Sequence, residues 1–250
     1  MAVTVGRIPY VSCEPFYFAM ELRGIASCDV VPSNMATAVA EGKIDAGPMP
    51  LVDCLHLDDQ LRLLSGFCVA TIRKSGSVLL HSKQPIQQLT DARIGIPGEA
   101  ATSYRLLQVL LTLKYQLPAA TYVGLEEAND AFLLIGNEGL RQRHGVNHYP
   151  HIYDLGEEWH QWTGLPFVFA RWVVRKSIDR KDAAILEDTL YVGLQDWADG
   201  IFRSSESEHD LPMHPRDRLE YTQGIRYFMG VPEQRAIDRF RSYLDQLEKP

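Results

Sequence analysis

The chain has 250 residues, a formal net charge of −7, 46% hydrophobic residues and 23% charged residues. That balance is ordinary for a soluble globular protein and long enough for one large domain or two lobes with real cores. It argues against a nucleic-acid binder, which would be basic, and no window approaches the ~20 apolar residues of a membrane span. In chain order, "VTVGRI" reads as a strand and "PFYFAMEL" as a helix opening on Pro15, where a missing N–H costs nothing. "CDVVP" is a strand, and Ser33 is placed to cap "NMATAVAEG", which stops at Gly42. "KIDAGPMP" is a strand running into a turn, followed by the short helix "LVDCLHL". "LLSGFCVATI" and "SVLLHS" are apolar enough for central strands, and "DARIGIP" is the next strand. "TYVGL", "AFLLIG" and "HIYDLG" are short strands, and "FVFARWVVRK" is a long one. From Asp182 onward, apolar spacings of three and four predict helices over "AAILEDTLYVGLQDWADG", "RDRLEYTQGIRYFMG" and "PEQRAIDRFRSYLDQLEK".

Strands alternating with helices imply an α/β protein with mainly parallel sheets. The polar connector "HSKQPIQQLTD" suits one crossing between lobes and "ARWVVRKSIDRKD" a second. Lobe I is then expected over residues 1–84 plus 174–250, carrying the helical tail, and lobe II over residues 85–173. In such a two-lobed α/β fold the ligand cleft is expected between the lobes, where strand ends and helix N-termini face each other. Cys13, Cys28, Cys54 and Cys68 form no CxxC pair and are expected to be reduced and buried in a cytoplasmic protein without an export signal.

The stretch "GEAATSYRLLQVLL" follows "ARIGIP" as a helix whose first turn is small and polar. Thr102 and Ser103 lie beside N–H groups that have no helical partner, with Ala100 and Ala101 allowing close approach. Two readings stand at this point: a helix cap, or a cradle for a small carboxylate. Asp154 and Glu157 flank a turn into a helix and are expected to cap it. Trp159 and Trp162 share one helical face and are expected in the core. His144, His148 and His151, interrupted by Pro150, read as a polar loop and not as a metal site.

Five segments, "EGKIDAGPMP", "SVLLHSKQPIQQL", "GEAATSYRLLQVLL", "DAFLLIGNEGL" and above all "YDLGEEWHQWTGLPFVFARW", together resemble the chorismate dehydratase family of the futalosine route to menaquinone. The resemblance implies a two-lobed, periplasmic-binding-protein-like (type II) fold. It also implies a carbon–oxygen lyase that converts chorismate, a dicarboxylate, into 3-[(1-carboxyvinyl)oxy]benzoate and water, with no metal or organic cofactor. It implies no nucleic-acid or membrane partner, and a homodimer is left open. The family's early motif resembles Ser-Tyr-Leu-Asn-(Thr/Ser)-Arg-Pro; here Tyr10 and Pro15 match, Ser12 replaces Asn and Glu14 replaces Arg. Ser12 and Glu14 are thereby the implied catalytic positions, although one of the substrate's own carboxylates is an alternative proton acceptor to Glu14. The implied substrate-binding positions are Pro50, Ser77, Thr102, Ser103, Gly136, Asn137, Pro166 and Phe167. Two other functions compete with this one: the 1,4-dihydroxy-6-naphthoate synthase of the same pathway, and a non-catalytic small-carboxylate-binding protein.

Overall fold

The computed structural model describes residues 3–56, 59–200, 211 and 213–248. In chain order, β1 (Thr4–Arg7) is followed by α1 (Glu14–Tyr17), β2 (Ala26–Asp29), α2 (Met35–Ala40), β3 (Ala46–Pro50), α3 (Leu51–Cys54) and β4 (Leu61–Thr71). Then come β5 (Leu79–Ser82), β6 (Arg93–Ile96), α4 (Ala101–Val109), β7 (Thr121–Gly124), β8 (Ala131–Leu134), α5 (Gly136–Arg141), β9 (His151–Asp154), α6 (Leu155–Thr163) and β10 (Phe167–Arg175). The chain closes with α7 (Arg180–Gly200), α8 (Pro215–Gln223), β11 (Ile225–Phe228) and α9 (Val231–Leu247). Among the described residues the strands form two sheets, ordered β11-β4-β10-β3-β1-β2 and β7-β6-β8-β5-β9.

The chain divides into two compact units, Met1–Val69 with Ala170–Met229, and Ala70–Phe169 with Gly230–Pro250. These bounds differ from the expected 84/85 and 173/174. The crossings occur inside the long strands β4 and β10, each of which contributes residues to both units. Nor does the helical tail stay together. The face of α9 that carries Ile237, Phe240 and Leu244 is buried. Phe240 meets Trp159 and Phe167 edge-on, with ring centroids 6.0 and 5.0 Å apart. That apolar stripe at helical spacing is what draws α9 into the second unit.

Each sheet mixes parallel and antiparallel neighbours, where a mainly parallel arrangement was expected. In the first, β1 runs parallel to β2 and β3, and β10 is antiparallel to β3. In the second, β6 is parallel to β7 and β8, and β5 is antiparallel to β8 and β9. Two local expectations also change. The segment 225–228 is a strand and not part of a helix, because Ile225 and Tyr227 turn inward while Arg226 and Phe228 stay exposed, a period of two. Ser33 lies inside a 3-10 turn, Pro32–Asn34, and no side chain caps α2.

The core of the first unit is built on Phe16, Met35, Ile44, Met49, Leu64 and Trp172. Phe16 packs edge-on against Trp172 at 5.2 Å and Tyr227 at 5.1 Å, the arrangement that aromatic quadrupoles favour. Cys13, Cys54 and Cys68 are buried free thiols; Cys28 is exposed, contrary to expectation, because all of β2 lies open at the sheet edge. In the second unit, Trp159 is fully buried, as expected, and its Nε1 donates to the Pro166 carbonyl at 2.9 Å. The buried Glu158 carboxylate accepts from Lys114 and Tyr115, which ties α6 to the π-helical turn Leu110–Lys114 that continues α4.

Candidate active site

The second sheet gathers most of the expected site residues at one edge. Because β6 and β8 are parallel neighbours, with Ile94 opposite Ala131 and Gly95 opposite Phe132, their carboxyl ends coincide. α4 follows β6, and α5 follows β8. The antiparallel β5, with Leu79 opposite Leu134, starts at this edge just after Ser77. β9, with Asp154 opposite Leu79, ends there and leads into α6. The chain order thus delivers Ser77, Thr102, Ser103, Gly136 and Asn137 to the carboxyl ends of adjacent strands, where α/β sheets place their ligands.

Local chemistry fixes this edge tightly. The residue flanking α4 is Ala100, which has no capping side chain. Thr102 and Ser103 are therefore the second and third residues of the helix and not its caps. Thr102 and Ser103 are 4% and 6% exposed and Ser77 is 5% exposed, so all three residues are buried at this edge. Gly136 opens α5 at φ +57°, a left-handed conformation that disfavours other residues. A Cβ on Gly139 would lie 1.9 Å from the Ser77 carbonyl oxygen, so only glycine lets α5 pack directly on the Ser77 backbone. A Cβ on Gly156, at the start of α6, would similarly crowd the Arg73 oxygen and the Ser75 nitrogen, both at 3.0 Å.

Asp154 completes the frame. It caps α6 as expected, its Oδ1 accepting from Gly156 N at 2.9 Å and Glu157 N at 3.1 Å. The same carboxylate also accepts from Ser75 N at 2.9 Å and Gly76 N at 2.7 Å. One side chain thus holds both the helix start and the turn that leads to Ser77. Glu157 lies in the first turn of α6 and pairs with Lys74 at 3.3 Å.

Pro166 and Phe167 are placed otherwise. Both are buried, and Phe167 packs on Trp159 at 5.2 Å and Phe240 at 5.0 Å. Phe167 is a core residue of the second unit because it points inward at the start of β10.

In the first unit, β1 and β3 are parallel neighbours, so their carboxyl ends also share an edge. After β1 the chain makes a 3-10 turn, Val11–Cys13, closed by Cys13 N donating to the Tyr10 carbonyl at 2.8 Å. Ser12 lies in that turn, 9% exposed. After β3, Pro50 leads directly into α3. Glu14 opens α1, and Arg218 of α8 donates from Nη1 to both of its carboxylate oxygens, at 3.3 and 3.1 Å. The two side chains are 11% and 6% exposed. Burial pushes the Glu14 carboxyl up to about 7, against the opposing pull of Arg218 and Arg7. Burial also pushes the neighbouring Cys13 thiol up to about 12, so it is not a thiolate nucleophile at neutral pH.

Arg218 was missed in the sequence; it stands 204 residues from its partner and in no recognisable motif. Among the described residues no group of three or more His, Cys, Asp or Glu is placed to hold a metal ion, and no helix is long and apolar enough to cross a membrane. A cavity of about 370 Å³ in the first unit, lined by Thr37, Asp53, His56 and Arg175 among others, takes in none of the expected site residues.

A family model described as menaquinone biosynthesis matches residues 3–246. The chorismate dehydratase of Thermus thermophilus is 28% identical over 96% of this chain and 94% of its own length. Among solved structures, protein AF1704 from Archaeoglobus fulgidus superposes with a TM-score of 0.73 at 15% identity, covering 98% of this chain and 97% of that one. The periplasmic aliphatic sulphonate binding protein SsuA from Escherichia coli does so with a TM-score of 0.63 at 12% identity, covering 98% and 86%. The fold is therefore periplasmic-binding-protein-like, as expected.

Proposed function

The chain belongs to the menaquinone biosynthesis family, and on that premise we propose that it is a chorismate dehydratase, a hydro-lyase that turns chorismate into 3-[(1-carboxyvinyl)oxy]benzoate and water. The observation that carries the reading is the correspondence, along nearly the whole of both chains, with the Thermus thermophilus chorismate dehydratase. The reading includes the futalosine route as the pathway and the cytoplasm as the place of work.

The chemistry asks little of the protein beyond position. Chorismate loses a ring proton and the neighbouring hydroxyl, and the ring becomes aromatic, which drives the reaction. One substrate carboxylate is gripped by the hydroxyls of Thr102 and Ser103 and the N–H groups of the first turn of α4, where the helix dipole favours negative charge. Ser77, Gly136 and Asn137 hold the substrate at the same edge, and the reading also keeps the family positions Ser12 and Pro50 as substrate contacts. Because the Glu14 carboxylate is held by Arg218, a carboxylate of the bound substrate takes the proton. The leaving hydroxyl departs with that proton as water. Holding base and C–H in one geometry replaces a costly encounter with an oriented intramolecular step.

The test is incubation of the purified protein with chorismate, followed by proton NMR and ultraviolet absorption. Stoichiometric formation of the carboxyvinyloxy-benzoate is expected. Chorismate that binds and is recovered unchanged would overturn the reading in favour of a carboxylate-binding protein. Conversion only of a later, naphthoate-forming substrate would overturn it in favour of the other enzyme.

A further inference from the structure

We propose that Arg218 is a positioning residue for this reaction: from α8 it holds the Glu14 carboxylate and so fixes the turn that presents Ser12. The proposal rests on the reading that Ser12 touches the substrate.

Neither the turn nor α1 can fix itself. The turn is three residues long and α1 is four, far below the length at which a helix is stable alone. Their placement has to come from tertiary contacts; beside the core packing of Phe16 and the bond from Ile8 N to the Tyr17 hydroxyl, these include a closed circuit within the first unit. Arg218 reaches Glu14 at the start of α1. One turn further along α8, Thr222 hydrogen-bonds back to the Arg218 carbonyl at 3.0 Å and accepts from Trp197 Nε1 at 3.1 Å. Trp197 packs edge-on against Phe18, at the other end of α1, with ring centroids 5.9 Å apart. α8 therefore grips α1 at both ends, directly through charge and indirectly through Trp197.

The charge contact controls Ser12 because Glu14 follows the turn with only Cys13 between them. A buried ion pair is rigid when complete and disruptive when broken, since the surviving partner is left charged in a low-dielectric site. Rotation of Glu14 toward solvent would carry the turn with it.

The experiment compares R218M, R218K and the double variant E14M/R218M with wild type. Two quantities are read: backbone amide exchange over residues 11–14, and kcat and KM for chorismate per folded molecule. In R218M, exchange over residues 11–14 should accelerate about tenfold or more while β3 and β10 stay protected. kcat should fall about tenfold or more, with a smaller change in KM. R218K, which keeps the charge, should recover kcat to within about threefold of wild type. E14M/R218M, which leaves no stranded charge, should recover thermal stability but not kcat. The proposal is overturned if folded R218M exchanges and turns over like wild type, or if the double variant regains kcat together with stability. Should R218M fail to fold, R218K and the double variant decide by the same criteria. Wild-type protein inert toward chorismate would instead count against the proposed function, and the exchange comparison would still judge the role of Arg218.

Discussion

Neither ring nitrogen of His81 has a hydrogen-bond partner among the described residues, although its side chain is fully buried on β5. The ring stacks on Phe132, with centroids 5.2 Å apart and planes 18° from parallel. Burial pushes its pKa below the usual 6.5, so the folded protein keeps it neutral. Below pH 6.5 the unfolded chain takes up a proton that the folded one refuses, and stability falls as pH drops. Glu14 runs the other way: its carboxyl, raised to about 7, holds its proton in the folded state only below about pH 7 and pairs with Arg218 as a carboxylate above it, so stability is lost as pH rises from 4.5 toward 7. Replacing His81 by Leu isolates the first effect. His81→Leu should stabilise the protein by about 1 kcal/mol at pH 7, because a buried group without a partner is removed. The gain should be larger at pH 5, read as the shift in denaturant midpoint at each pH. A gain that shrinks on acidification would contradict this account. At this scale the sequence was partly legible. The cap role of Asp154 could be read from "YDLGEE", because capping is a local pattern. Its second grip, on Ser75 and Gly76, and the Glu14–Arg218 pair could not, since contacts across long sequence separations leave no periodic trace.

Helix α5 is positioned by what Gly139 lacks. With a Cβ 1.9 Å from the Ser77 oxygen, Gly139→Ala forces α5 and the Ser77 backbone apart. Overpacking of this kind costs about 1–3 kcal/mol, and here the displaced atoms belong to the proposed substrate edge. The variant should raise KM for chorismate clearly more than a surface Gly→Ala control such as Gly98→Ala, whose Cβ meets nothing within 4 Å. Equal kinetics in the two variants would separate α5 packing from the site. Strands and helices with strong periodicity were readable: "AFLLIG", "HIYDLG" and "PEQRAIDRFRSYLDQLEK" all form the elements they suggest. The errors came where patterns overlap. Ile225–Phe228 alternates directly after a helical run, so the periods of 3.6 and 2 merge. Thr102 and Ser103 look like caps by residue type, but the helix starts one residue before them, at Ala101. Phe167 resembles a lining residue in the string "GLPF", yet its neighbours Trp159 and Phe240 draw it into the core.

For the whole molecule, the two-unit α/β architecture was legible from the alternation of elements, but the boundaries were not. Polar connectors suggested crossings near residues 84 and 174, whereas the chain passes between units within the apolar strands β4 and β10. Nothing in composition marks a strand shared by two units, and nothing local in α9 shows which core its apolar stripe will join. The account as a whole holds that one carboxylate of the substrate is bound at the carboxyl edge of the second sheet, by hydroxyls and helix N–H groups. The most direct measurement is a crystal structure of the protein with 3-[(1-carboxyvinyl)oxy]benzoate bound. Product carboxylate oxygens within hydrogen-bond distance, about 3 Å, of the Thr102 and Ser103 hydroxyls are predicted. Density for the product elsewhere, with those hydroxyls untouched, would contradict the account.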